Sequence, residues 1–254
     1  MYFGLSEDQV FFQDNVRKFL EDQAPLDAIR KIAEGNDSSS KDELYQGLIN
    51  LGINNLLIPE DNGGLGLDLL FAVAISQSLG AGIATLPFIG PYVMAPIAIK
   101  HAANEMQKNT LFEGMVNNSI NFSIGFSEYF GSRDSSGLTF SQNKVSGKTL
   151  FVIDGDYASH VMLCNKDGQI GVVSLDSVGV ETINLTTVDK TRMYQEMNFD
   201  NAPIEILENS LTSSNAIELS IDAGRIVAAA DSIGASQSMI DKAIEYSKER
   251  KQFN

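Results

Sequence analysis

Asn121-Phe122-Ser123-Ile124-Gly125-Phe126-Ser127 alternates polar with apolar or small residues, and the period of the chain changes from helical to two near Asn117. A period of two lays successive side chains on opposite faces of an extended strand, whereas a helical face recurs every three to four residues. Upstream of this stretch the pattern is helical. Ser6 and Gln9 form a capping box ahead of Phe12, Val16, Phe19 and Leu20, and Pro25 closes that helix. Ser40 with Glu43 predicts a second box ahead of Leu44, Leu48 and Leu51, with Gly52 as its stop. A helix near 104–115 follows, with Met106, Leu111 and Met115 expected on its buried side. Downstream, Gly137 to Ser141, Val161 to Leu163, Gly171 to Leu175 and, less cleanly, Arg192 to Phe199 are short strands separated by Gly, Asn and Asp turns, with Pro203 near their end. From about Ser213 to Glu249 the helical period returns. Ile217, Ile221, Ile226, Ile233, Ile240 and Ile244 are expected to mark its buried side, and Ala223, Gly224, Ala228, Ala229, Ala230, Gly234 and Ala235 leave room for another helix. The fold class is therefore α+β and multidomain: an N-terminal all-α bundle (1–117), a middle antiparallel β-barrel or sandwich (118–208), and the start of a C-terminal helical bundle (209–254), which reads as truncated.

Composition narrows the function. The 254 residues carry a formal net charge of −15, which argues against nucleic acid as a partner because phosphate binding needs clustered Lys and Arg. Cys164 is the only cysteine, so no internal disulfide is possible, and no basic-then-apolar leader or Arg-rich transit segment opens the chain; a cytoplasmic location is expected. Leu69 to Ile99 lacks charge, but Pro87, Pro91 and Pro96 interrupt it with Gly80, Gly82 and Gly90 between them. Two buried helices joined by a Pro/Gly turn explain it better than a membrane span. His101 and His160 lie on different segments with no ligand at metal-binding spacing, so no metal is expected. Gly63-Gly64-Leu65-Gly66 lies between helices and reads as a turn, and Cys164 sits in an apolar strand as a core residue.

Four strings, taken in order, resemble the acyl-CoA dehydrogenase family. Ile58-Pro59-Glu60-Asp61-Asn62-Gly63-Gly64-Leu65-Gly66 is similar to the family's P-E-x-x-G-G-x-G loop, and Phe126-Ser127-Glu128-Tyr129-Phe130-Gly131-Ser132-Arg133-Asp134 resembles [LV]-[TS]-E-P-x-A-G-S-D. Gly147-Lys148-Thr149-Leu150-Phe151-Val152-Ile153-Asp154-Gly155 is similar to G-x-K-x-W-I-T-N-G, and Glu249-Arg250-Lys251-Gln252-Phe253 looks like x-R-x-[QT]-F-G. The resemblance implies an FAD flavoprotein, an oxidoreductase of the kind used in fatty-acid or steroid side-chain β-oxidation. Strand edges supply hydrogen bonds to the ring of such a cofactor. On this basis Phe126, Ser127, Glu128 and Ser132 would line the flavin and pyrophosphate, Phe151 would stand beside the ring, and Ile153 would take the place of the residue that meets flavin N5. Arg250, Gln252 and Phe253 would reach the FAD of a neighbouring subunit, implying a homodimer or homotetramer; a solvated helix end explains them equally well. Tyr129 in place of Pro, Ser132-Arg133 in place of Gly-Ser, and Ile153 in place of Thr depart from the pattern.

The same resemblance implies an acyl-CoA substrate. Arg133, Asp222 and Arg225 are the candidate CoA contacts, with a local Asp222–Arg225 ion pair as the alternative. In the family a Glu removes the α-proton of the thioester while the β-hydrogen leaves as hydride to the flavin. One position for that Glu corresponds to Gly224, and the other falls past residue 254, so no catalytic residue is assigned; Glu218, upstream on the same helix, has nothing specific in its favour. Three accounts remain: a fragment of an active enzyme, a base-less subunit of a heteromer with a base-bearing homologue, or a flavin-free interaction module. An electron-transferring flavoprotein is the acceptor that the resemblance implies.

Overall fold

The computed structural model describes residues 4–251 other than Thr85, Ser132, Asp134, Asp156 and Ser214. Among these residues the element order is six α-helices, eight strands and one long helix, and no helix is long and apolar enough to cross a membrane. The chain divides into two compact units, one drawn from 1–51, 69–85 and 225–254 and the other from 52–68 and 86–224.

The first unit holds α1 (Glu7–Gln23), α2 (Leu26–Ala33), α3 (Ser38–Asn50), α4 (Leu69–Ala81) and the later turns of α7 (Ala216–Glu249). The capping box at Ser6 and Gln9 forms as expected. At α3 the expected Ser40–Glu43 box gives way to Asp37, whose carboxylate accepts the Ser40 N–H at 3.0 Å. An ionised acceptor outbids a hydroxyl for the free amides of a first turn. The Ser40 hydroxyl and amide together hold the Asp37 carboxyl below its usual range.

Helices α4 and α7 meet backbone to backbone. Ser76 Oγ donates to the Val227 carbonyl at 2.9 Å. A Cβ on Gly80 would lie 2.0 Å from the Asp231 carbonyl oxygen, and one on Gly234 would lie 1.9 Å from that of Gln77. This approach decides which side of α7 is buried. Ile217, Ile221, Val227 and Ala230 are buried, but Ile226, Ile233, Ile240 and Ile244 are exposed, which corrects the expected isoleucine stripe. The small-residue face is the only one that lets two helix axes come so close, and Ile226, Ile233 and Ile240 repeat every seven residues on another face.

The second unit is organised by one sheet. Among the described residues its strands run β6-β7-β3-β1-β4-β5-β8, with β2 also on β3. These are β1 (Phe122–Gly125), β2 (Gly137–Ser141), β3 (Lys144–Ile153), β4 (His160–Cys164), β5 (Ile170–Ser174), β6 (Val180–Asn184), β7 (Tyr194–Pro203) and β8 (Glu205–Ile206). All pairs are antiparallel except β1 with β4, which run parallel from Phe122↔His160 to Gly125↔Leu163. The order is an open path rather than a closed barrel. The two ends of the path are β6 and β8, while β1, all four of whose residues are buried, is a central strand with neighbours on both sides. The β2–β3 hairpin lies to one side and β4 re-enters on the other.

The uncharged stretch resolves as expected into α4 and α5 (Ala95–Ala102), the latter entered through a π-helical turn at Gly90–Met94. Helix α6 (Glu105–Val116) buries Leu111, Phe112 and Met115, whereas Met106, expected inside, is 74% exposed. Gln107 points inward instead. Its amide donates to the Ile206 carbonyl at 2.8 Å and accepts the Glu208 N–H at 3.1 Å, satisfying the edge of the sheet at β8.

Three substitutions test the face of α7. Ile217→Ala should cost about 2–5 kcal/mol as a core truncation, whereas Ile233→Ala should stay within about 0.5 kcal/mol. Gly234→Ala, which helix propensity alone would favour by about 1 kcal/mol, should destabilise instead. Urea unfolding reads all three, and equal losses at Ile217 and Ile233 would refute the assignment.

Candidate functional site

Strand β3 is longer than its partners on one side. Its first half, Lys144 to Lys148, pairs with β2, and its last residue, Ile153, pairs with Ile124 of β1. Between them, along Thr149 to Val152, no strand pairs with that edge among the described residues. Buried backbone groups need partners, and two side chains from the turn after β1 supply them. Glu128 Oε1 accepts the Leu150 N–H at 3.0 Å, and Ser127 Oγ donates to the Leu150 carbonyl at 2.5 Å. The second Glu128 oxygen accepts from Thr149 Oγ1. Glu128 is only 2% exposed, so its carboxylate acts as a stand-in strand partner inside the sheet.

Phe151 lies in the same gap. Its φ is +55°, and a register shift between Thr149 and Val152 marks a bulge against β7. A bulky residue in the left-handed region is strained, and bulges re-aim side chains beside functional sites. The Phe151 ring is 47% exposed although its neighbours Leu150 and Val152 are buried. Beyond Ile153, Asp154 is buried with φ +58°, and its Oδ2 accepts the Gly90 N–H at 2.6 Å. Gln195 of β7 covers Gly155 so closely that a Cβ there would fall 2.0 Å from its Oε1. That oxygen is buried and has no hydrogen-bond partner among the described residues.

Phe126, Ser127, Glu128, Phe151 and Ile153 thus gather where β1 and β3 part. Phe126 is buried in the core, Ser127 and Ile153 are half-buried, and Phe151 offers its ring outward. The remaining candidates lie on other elements. Arg133 is exposed and its N–H donates to Ser136 Oγ at 3.0 Å; Asp222 and Arg225 are exposed on α7. Arg250 is exposed after α7, with its guanidinium donating to the Tyr246 hydroxyl at 2.8 Å. Ser132, Gln252 and Phe253 lie outside the described residues.

Several nearby groups escape the sequence pattern. Thr149 and Leu150 belong to the third string but betray no role until the strand gap is seen. At Gly224 a Cβ would lie 2.7 Å from Met94 Sδ, and Ser220 Oγ donates to the Met94 carbonyl at 2.8 Å. Glu218 accepts a hydrogen bond from the Tyr129 hydroxyl, and this bond raises the Tyr129 pKa. Burial pushes the Cys164 thiol well up, with Glu128 and Glu218 adding to the effect, so it stays un-ionised in the core.

Residues 6–119 match the family model of the acyl-CoA dehydrogenase N-terminal domain, and the probable acyl-CoA dehydrogenase YngJ of Bacillus subtilis (strain 168) is 24% identical over 281 residues, an alignment that covers all of this chain and 72% of the relative. Over residues 6–119 the chain is thus similar to the acyl-CoA dehydrogenase family. Solved structures share the fold. The ChsE4-ChsE5 complex from Mycobacterium tuberculosis matches with a TM-score of 0.83 and 18% identity, covering all of this chain and 70% of that one. An acyl-CoA dehydrogenase complexed with FAD from Bacillus anthracis matches with a TM-score of 0.83 and 15% identity, covering 98% of this chain and 46% of that one.

The strand gap makes a direct prediction. Glu128→Ala strands the Leu150 N–H and the Thr149 hydroxyl in the sheet and should cost about 2–3 kcal/mol, measured by urea unfolding. Glu128→Gln keeps one acceptor and should cost less. An alanine variant as stable as the parent chain would remove the stand-in role.

Proposed function

We propose that this chain carries the flavin seat of an FAD-dependent dehydrogenase that introduces an α,β double bond into an acyl-CoA thioester, and that the proton-abstracting carboxylate comes from a homologous subunit. The observation that carries the first part is the strained, half-exposed Phe151 ring at the β3 bulge. An aromatic held out of the sheet at such a φ is built to lie against another flat group.

The residues present suit that cofactor. Phe151 and Ile153 offer an apolar ledge for the ring system. The Ser127 hydroxyl commits its proton to Leu150, which leaves its lone pairs to accept from an imide N–H. Gln195 Oε1 is a second buried acceptor that has no partner among the described residues. Glu128 contributes by holding the Ser127 turn against β3, not by touching the ring. FAD, when bound, supplies the two-electron acceptor for the β-hydrogen. Arg133, Asp222 and Arg225 are the candidate contacts of the CoA moiety, and Arg250, Gln252 and Phe253 are candidate contacts of a second subunit's FAD. We read the chain functionally as 1–117, 118–208 and 209–254, with the middle segment as the cofactor module.

The second part rests on Gly224. The position holds no side chain, and the space over it is taken by the Met94 side chain, so α7 presents no carboxylate at this point. Glu218 is engaged by Tyr129. A partner that brings its own base resolves the difficulty, and two-component relatives such as the ChsE4-ChsE5 complex share this fold.

Absorbance spectroscopy tests the seat. The chain mixed with FAD and freed of excess cofactor should show flavin bands, and Phe151→Ala should weaken FAD binding about tenfold, or about 1.4 kcal/mol. The chain alone should give no acyl-CoA-dependent dye reduction, and turnover should appear on adding a base-bearing homologue. A colourless chain would favour an interaction module instead, and turnover by the pure chain would mean that its own residues include the base.

A further inference from the structure

The turn after β1 reaches the start of α7 through Tyr129. This residue lies on the 3-10 turn Ser127–Phe130, beside Ser127 and Glu128. Its ring packs against the apolar core that holds Phe126, Cys164, Ile217 and Ile221. It also meets Phe130 edge-on, with ring centroids 5.6 Å apart. The turn between β4 and β5 lies beside it: a Cβ on Gly168 would be 3.6 Å from Tyr129 Cε2 and 3.9 Å from Ile217 Cγ2. That turn is itself braced, because Asn165 Oδ1 accepts the N–H groups of Asp167 at 3.1 Å and Gln169 at 3.0 Å. A ring held on these sides delivers its hydroxyl to one place. There it donates to the carboxylate of Glu218, in the first turn of α7, across 89 positions of the chain.

Each end of this bond sits on an element that carries a candidate CoA contact. Arg133 follows Tyr129 on the same loop, where its carbonyl accepts the Ser136 N–H at 2.7 Å and its own N–H donates to Ser136 Oγ at 3.0 Å. Asp222 comes four residues after Glu218 on α7, and residues four apart share a helix face. A ligand gripped by two separate elements binds best when their spacing is set before it arrives, because less ordering is then left to the binding step. Tyr129 is half-buried and Glu218 exposed. A hydrogen bond open to water adds little to folding, yet it can still set a distance.

We infer that Tyr129 and Glu218 form a clasp that sets the spacing between the turn after β1 and the start of α7 for the CoA moiety, both acting as positioning residues. This role rests on the reading of Arg133 and Asp222 as CoA contacts. The clasp needs an acceptor oxygen at position 218 and no charge, so glutamine should serve there as well as glutamate.

Isothermal titration of free coenzyme A into the FAD-treated chain tests the clasp. Tyr129→Phe keeps the ring and loses only the hydroxyl. It should weaken CoA binding about fivefold while melting with the parent, and Glu218→Ala should do the same. The double variant should bind no more weakly than either single one, because both remove one shared bond. Glu218→Gln should bind CoA as the parent does. Parent-like affinity in Tyr129→Phe overturns the clasp, as does a double variant whose losses add. A Glu218→Gln chain as weak as Glu218→Ala assigns the effect to charge and overturns it too. A Tyr129→Phe chain whose weaker binding comes with a lowered melting temperature assigns the bond to folding and overturns the positioning role. A parent chain that takes up no CoA overturns the CoA reading, and the clasp with it.

Discussion

Leu150 is the residue on which the site depends. Its amide and carbonyl fall in the stretch of β3 that neither β2 nor β1 reaches, and side chains must close what strands leave open. Ser127 and Glu128 do so from the turn after β1. The consequence is geometric. Because the side chains take the edge, β1 and β3 can part after Ile124 and Ile153 without exposing unsatisfied backbone. A sheet with that edge zipped shut by a strand would have no fork beside Phe151.

The same economy of space appears wherever two elements come close. Gly80 and Gly234 let α4 and α7 touch backbone to backbone, and Gly224 lets Met94 lie against α7. Each small residue fixes a distance that a methyl group would break. On α7 this requirement overrides hydrophobicity: the isoleucines at 226, 233 and 240 remain outside so that Val227, Ala230 and Gly234 can face inward. At Gly224 the room that a side chain would need is filled by the Met94 side chain.

Glu128 illustrates how a family pattern and a physical role can differ. In the string that resembles the family loop it is one of the four residues expected to line the flavin and pyrophosphate. Its burial and its bonds to Thr149 and Leu150 give it work inside the sheet. Tyr129, which departs from the family pattern, binds Glu218 instead. Neither fact could be drawn from spacing, because both partners lie far along the chain.

Local chemistry was legible from the residues themselves. The Ser6–Gln9 box, the stop at Gly52, the α4–α5 pair, the change of period near Asn117 and the long last helix each depend on neighbours within one or two turns, and each was readable as such. Only the tertiary structure decided the rest: Asp37 rather than Ser40 at α3, Gln107 rather than Met106 inward on α6, the parallel pairing of β1 with β4, the stand-in bonds to Leu150, and the Asp154–Gly90 bond across 64 positions. Periodicity says that a helix has a face or a strand has an edge. Which face is buried, and what closes that edge, depends on partners brought near by the fold, and no local pattern encodes that distance.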